Sequence, residues 1–99
     1  MSGFRLSHLA EHDLDEIADY IADHNPSAAI REIGELFERF ALLATQPLMG
    51  QLRDDLPGSP RTFCSGNYLI LYRPTRDGIE IARVVHSARD VAAILRQHD

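Results

Sequence analysis

The sequence predicts an α+β domain: an N-terminal strand, an antiparallel helix hairpin, a three-stranded antiparallel meander and a short C-terminal helix. Three observations carry this. Apolar residues recur at three- and four-residue spacing over positions 10–21 and again over 29–44, the pattern of two amphipathic helices. Asn25-Pro26 separates those stretches almost without linker, so the helices must fold back on each other. Beyond residue 60 the chain turns to β-branched and aromatic runs broken by Gly66-Asn67 and Asp77-Gly78, the signals of tight turns between strands. Two helices over one face of a mostly antiparallel sheet define the class. With 99 residues, 44% of them apolar, the chain is expected to form one domain over 1–99 around one core.

The elements follow in order. Phe4 to Ser7 reads as a short strand. Ser7 caps a helix whose first turns hold Glu11, Asp13, Asp15 and Glu16, favourable at the positive end of the helix dipole. Ala10, Leu14, Ile17, Ala18 and Ile21 form its apolar stripe, and the acids are expected to share a solvated opposite face. Asn25 suits the N-cap of a second helix, and Pro26 its first position, where no N–H is needed. That helix runs to about Thr45 with Ala29, Ile33, Leu36, Phe37, Phe40, Leu43 and Ala44 inward. Gly34 interrupts it at a cost of about 1 kcal/mol against Ala, which close packing on the first helix would explain. Gln46 to Pro60 reads as a loop. Strands are expected at Arg61–Ser65, Tyr68–Arg73 and Ile79–His86, with Pro74–Gly78 as a turn, and a final helix at Ala88–Gln97.

Charge narrows the function. The net charge is −5, and all ten basic residues are arginine. Residues 1–50 hold three arginines against nine acids; residues 51–99 hold seven against six. A pI near 5.4 argues against a protein that grips nucleic acid by its own surface. No run approaches a membrane span, and the first residues lack the pattern of a secretory signal, so a cytoplasmic location without membrane contact is expected. Cys64, the single cysteine, cannot form an internal disulfide and reads as a core thiol.

No catalytic motif stands out, and neither a cofactor nor a metal site is expected. His8 and His12 lie one turn apart but have no Cys or second His pair beside them. The acidic runs give each carboxylate a similar setting, whereas acid–base catalysis needs two that differ. The corner after the last strand is more informative: a rigid strand there delivers Arg83, His86, Arg89 and Asp90 to a short polar turn. Strand alternation places Ile79, Ile81, Arg83 and Val85 on one face and Glu80, Ala82, Val84 and His86 on the other. Arg61, Arg73 and Tyr68 on neighbouring strands are secondary candidates for a surface that holds acidic groups. Surface ion pairs with Asp54, Asp77, Glu80 or Asp90, and Asp90 as a helix cap, are the structural alternatives. Phe4, Phe63, Ile79 and Ile81 are expected to have limited cover, leaving apolar surface for a partner.

Several stretches in order resemble the ParE-type toxins of the ParE/RelE superfamily, encoded in bacterial toxin–antitoxin pairs. They are Arg5-Leu6-Ser7, Asp13-Leu14-Asp15-Glu16-Ile17-Ala18-Asp19-Tyr20-Ile21, Pro47-Leu48-Met49-Gly50, Leu71-Tyr72-Arg73, and Arg83-Val84-Val85-His86-Ser87-Ala88-Arg89-Asp90. The resemblance implies a RelE/ParE-like fold and a toxin that binds and inhibits DNA gyrase without being an enzyme. It further implies neutralisation by a ParD-type antitoxin in a hetero-oligomer, with operator DNA reached only through the antitoxin. RelE-like relatives instead resemble ribosome-dependent messenger ribonucleases with clustered Lys and Arg and a terminal Tyr or His. This chain has no lysine, residues 91–96 hold no Tyr, and the nearest terminal His is His98. The ribonuclease reading is therefore the alternative, together with a non-toxic subunit that keeps only antitoxin binding and autoregulation.

Overall fold

A computed structural model describes residues 3–96. Its elements are β1 (Gly3–Leu6), α1 (His8–His24), α2 (Pro26–Thr45), β2 (Gln51–Leu52), β3 (Arg61–Ser65), β4 (Tyr68–Thr75), β5 (Gly78–His86) and α3 (Val91–Arg96). The expected α+β order holds. The strands form one sheet in the order β1-β5-β4-β3-β2, in which β1 runs parallel to β5 and every other pair is antiparallel.

The helix hairpin turns on one residue. The Asn25 N–H donates to Ile21 O and closes α1, while its side-chain oxygen accepts from the Ala28 N–H and opens α2. Ser7 plays the matching part at the start of α1: its hydroxyl accepts from the Ala10 N–H and donates to Ala82 O on β5, tying the helix to the sheet. The hairpin packs Ala10, Leu14, Leu36, Phe40 and Leu43 onto Ile70, Tyr72, Ile79, Ile81 and Val84.

The sheet also has a second covered face. Leu56 from the long loop and Ile94 from α3 pack on Leu71 and Val85. Burying a large aliphatic side chain contributes about 1.5–3 kcal/mol, so this smaller core is what holds α3, a six-residue helix too short to persist alone.

Several expectations are corrected. Residues 46–60 are not all loop, since Gln51-Leu52 pairs with Thr62 and Arg61 as an edge strand. Pro74 lies within β4 instead of a turn. β3 stops pairing at Tyr72, so the absent N–H of Pro74 faces no neighbouring strand there. The last helix begins at Val91 because Asp90 caps it, its carboxylate accepting from the Ala93 N–H; the expected end at Gln97 falls outside the described residues. Ile79 and Ile81 are fully buried, since β1 and the hairpin together cover them, whereas Phe4 and Phe63 are half-buried. Cys64 is exposed on β3, beyond the reach of Leu56 and α3. Gly34 has open space in front of it, so packing on α1 does not explain it.

The most consequential correction concerns β5. Leu71 pairs with Arg83 but Tyr72 pairs with Ile81, leaving Ala82 as an extra residue. Such a bulge shifts the alternation by one and increases the local twist. Ile79, Ile81 and Val84 therefore enter the main core while Val85 enters the smaller one, against the simple alternation expected.

Candidate functional site

The bulge also decides the fate of Arg83. Past Leu6, β1 no longer covers β5, and the exposed edge is met by the first turns of α1. There Asp13 takes three hydrogen bonds. Arg83 Nε donates to its Oδ2 at 2.8 Å, Arg83 Nη2 to its Oδ1 at 2.9 Å, and the Val84 N–H to its Oδ2 at 3.0 Å. Both residues are buried, with Asp13 7% and Arg83 9% exposed. The Asp13 hydrogen bond pushes the Arg83 guanidinium further up in pKa, against the opposing pull of burial. Asp13 is thus no solvated helix acid, and Arg83 is not a free cation at the surface. The two clasp α1 to the sheet edge.

Beyond the clasp, an open groove of ≈ 820 Å³ runs between the hairpin and the β4–β5 corner. Tyr68 and His86 sit opposite each other across β4 and β5, with ring centroids 5.7 Å apart and planes at 78°. His86 Nδ1 accepts from the Ala88 N–H, which orients the ring and leaves Nε2 as the outward nitrogen. The Arg89 N–H donates to His86 O, and the Ser87 N–H to Asn67 O, so the corner is a stiff turn closed over the β3–β4 hairpin. Arg89 is exposed, and among the described residues no carboxylate pairs with its guanidinium.

The structure gathers Tyr68, His86 and Arg89, with Arg83 at the groove's floor. It adds Tyr20 and Glu32 from the helices. Partial burial first, then the Glu32 carboxylate and Tyr20, pushes the Tyr68 phenol above its ordinary 10.0, so it stands as a protonated donor at neutral pH. Neither helix residue stands out in the sequence as a site candidate; Tyr20 is 67% exposed at the margin of the apolar stripe, its ring tilted against that of His24. Asp90 lies at the corner, but its carboxylate is occupied as the helix cap.

Arg61 and Arg73 stand elsewhere. Arg61 Nη1 donates to Leu48 O and Gly50 O, fastening the loop after α2. The Tyr72 hydroxyl completes that fastening, accepting from the Gly50 N–H and donating to Pro47 O. A Cβ on Gly50 would stand 2.6 Å from the Tyr72 hydroxyl and 2.9 Å from Thr62 O, so no larger residue fits. Arg73 lies exposed against Gly58, away from the groove.

Chemically, the groove suits docking better than cleavage. Asp13, Glu16 and Glu32 line it with Arg83 and Arg89, and Arg83 is already neutralised by Asp13. A phosphodiester placed there meets one free guanidinium and the carboxylates of Glu16 and Glu32, where the phosphorane charge needs several converging donors. His98 lies outside the described residues, among which no group of three His, Cys, Asp or Glu is arranged to hold a metal ion. No helix among them is long and apolar enough to cross a membrane.

Comparison with known proteins agrees with this architecture. Residues 4–91 match the family model described as the ParE toxin of the type II toxin–antitoxin system parDE. The chain is 32% identical over 96 residues to Toxin ParE1 of Caulobacter vibrioides, covering 96% of this chain and 99% of that protein. Its fold superposes with a TM-score of 0.71 on a chain from the chromosomal ParDE system of P. aeruginosa, at 22% identity, covering 87% of this chain and 96% of the other.

Proposed function

The chain belongs to the ParE toxin family of type II toxin–antitoxin systems, and from that membership we propose that it poisons DNA gyrase by binding it, without catalysing a reaction. In this reading the chain is cytoplasmic, a ParD-type antitoxin holds it in a hetero-oligomer, and operator DNA is reached only through that antitoxin. The observation that carries the binding mode is Arg89. It is exposed, carries no ion pair among the described residues and stands on a turn held by backbone hydrogen bonds. An arginine so presented suits an anchor, because the turn's backbone is already ordered, leaving only side-chain rotamer freedom to be lost on binding, and Arg is enriched at interface hot spots.

Support for a non-enzymatic role comes from electrostatics. Among the described residues, three carboxylates line the groove against two arginines, and Arg83 is already paired with Asp13. Overproduction in cells tests the proposal. Filamentation with DNA-damage signalling is the expected phenotype; rapid arrest of translation would move the assignment to the ribonuclease relatives, and no phenotype to a subunit that only binds antitoxin.

A further inference from the structure

The outward side of α2 presents an apolar stripe that nothing among the described residues covers. Ile30 is 79% exposed and Phe37 38% exposed. Seven residues apart, they lie on one side of the helix, and Gly34 falls between them with no atom within 4 Å of where its Cβ would stand. Phe37 is held in place from beneath, its ring 5.3 Å from Phe40 and 5.9 Å from Phe4. The stripe is thus a fixed surface with a notch at its middle, where a second helix can approach closely.

The charges beside the stripe identify the occupant. Arg31 and Glu38 both flank it on the side away from the core, exposed and without an ion pair among the described residues. A seven-residue separation along a helix is about 10 Å, too far for them to neutralise each other. Two copies of α2 packed antiparallel about Gly34 bring the position three residues from it on one copy to within one residue's rise, about 1.5 Å, of the position four residues from it on the other side of the partner's glycine. Arg31 of each copy then meets Glu38 of the other, and Ile30 of each meets Phe37 of the other. We propose that the outward face of α2 pairs two copies of this chain about a twofold axis through Gly34, an isologous contact of the kind self-complementary patches form. The glycine that weakens α2 by about 1 kcal/mol is then retained for close helix approach.

Sedimentation of the purified chain over a concentration series tests this, with Arg31→Glu, Glu38→Arg and the double swap beside the wild type. The chain of 11.1 kDa is expected to move towards twice that mass as concentration rises. Each single swap sets like charges against each other twice and is expected to weaken pairing about tenfold or more. The double swap restores it, because exchanging both charges brings opposite signs together again at each contact. Circular dichroism on each exposed variant checks that the fold is kept. A monomer throughout the series overturns the proposal, as does a dimer indifferent to the swaps or one that the double swap fails to restore. A monomer whose antitoxin complex weakens on Ile30→Asp assigns this face to the antitoxin and overturns it equally.

Discussion

Arg83 and Arg89 lie six residues apart in one segment and serve opposite ends. Arg83 is 9% exposed and bound through two nitrogens to Asp13, whereas Arg89 faces solvent. Breaking a buried pair by removing one partner leaves a charge without compensation, so Arg83→Ala or Asp13→Asn is expected to lower stability by about 3–5 kcal/mol in denaturant unfolding. Arg83→Lys should recover only part of this, since an ammonium cannot span both carboxylate oxygens. A loss under about 1 kcal/mol for Arg83→Ala (the scale of a surface pair) would remove the clasp from the account. Tyr68 offers a pH test. Its folded phenol is raised above 10.0, so its contribution is fully present below that pH and fades as pH climbs through the folded value. The alkaline decline of stability should be shallower in Tyr68→Phe, and difference absorbance against that variant should place the phenolate midpoint above 10.0. Asp13 was illegible in the sequence because it sits in a run of acids at helical spacing, and only the bulge at Ala82 shows which of them meets β5.

At the scale of elements, local chemistry predicted most of the fold. Asn25-Pro26 marked the hairpin correctly because one residue satisfies both helix ends, and Ser7 marked the start of α1 for a similar reason. Asn25→Ala is therefore expected to cost about 1 kcal/mol or more, the upper side of a single lost cap, read as a fall in melting temperature. What escaped prediction depends on distant partners. A two-residue edge strand has no period to recognise, and Pro74 in β4 is tolerated only because β3 has already ended. Within the stretch resembling the family, Pro47-Leu48-Met49-Gly50 proves to be an anchoring device. Gly50→Ala should cost about 1–3 kcal/mol through the forced shift of Tyr72 or Thr62. Tyr72→Phe should cost a similar amount, from the unpaired Gly50 N–H and Pro47 carbonyl, and the two losses should not add. Full additivity in chemical denaturation would mean that the residues do not share one site.

Over the whole molecule, two of the resembling stretches turn out to be structural: Asp13 with Arg83, and Pro47–Gly50 with Tyr72. The corner of Tyr68, His86 and Arg89 is left as the exposed surface on which the proposed function rests. Its strand and turn were legible in the sequence, but Tyr20 and Glu32 were not, because they join the groove only when the hairpin folds over the sheet. The measurement that tests the account most directly is gyrase supercoiling with purified protein, comparing wild type with Arg89→Ala, each first shown to be folded and to bind its antitoxin. Wild type should inhibit supercoiling, and Arg89→Ala should need about tenfold or more protein for the same effect, the loss of one hot-spot side chain. Undiminished supercoiling with wild type, or equal potency of the two proteins, would contradict the account.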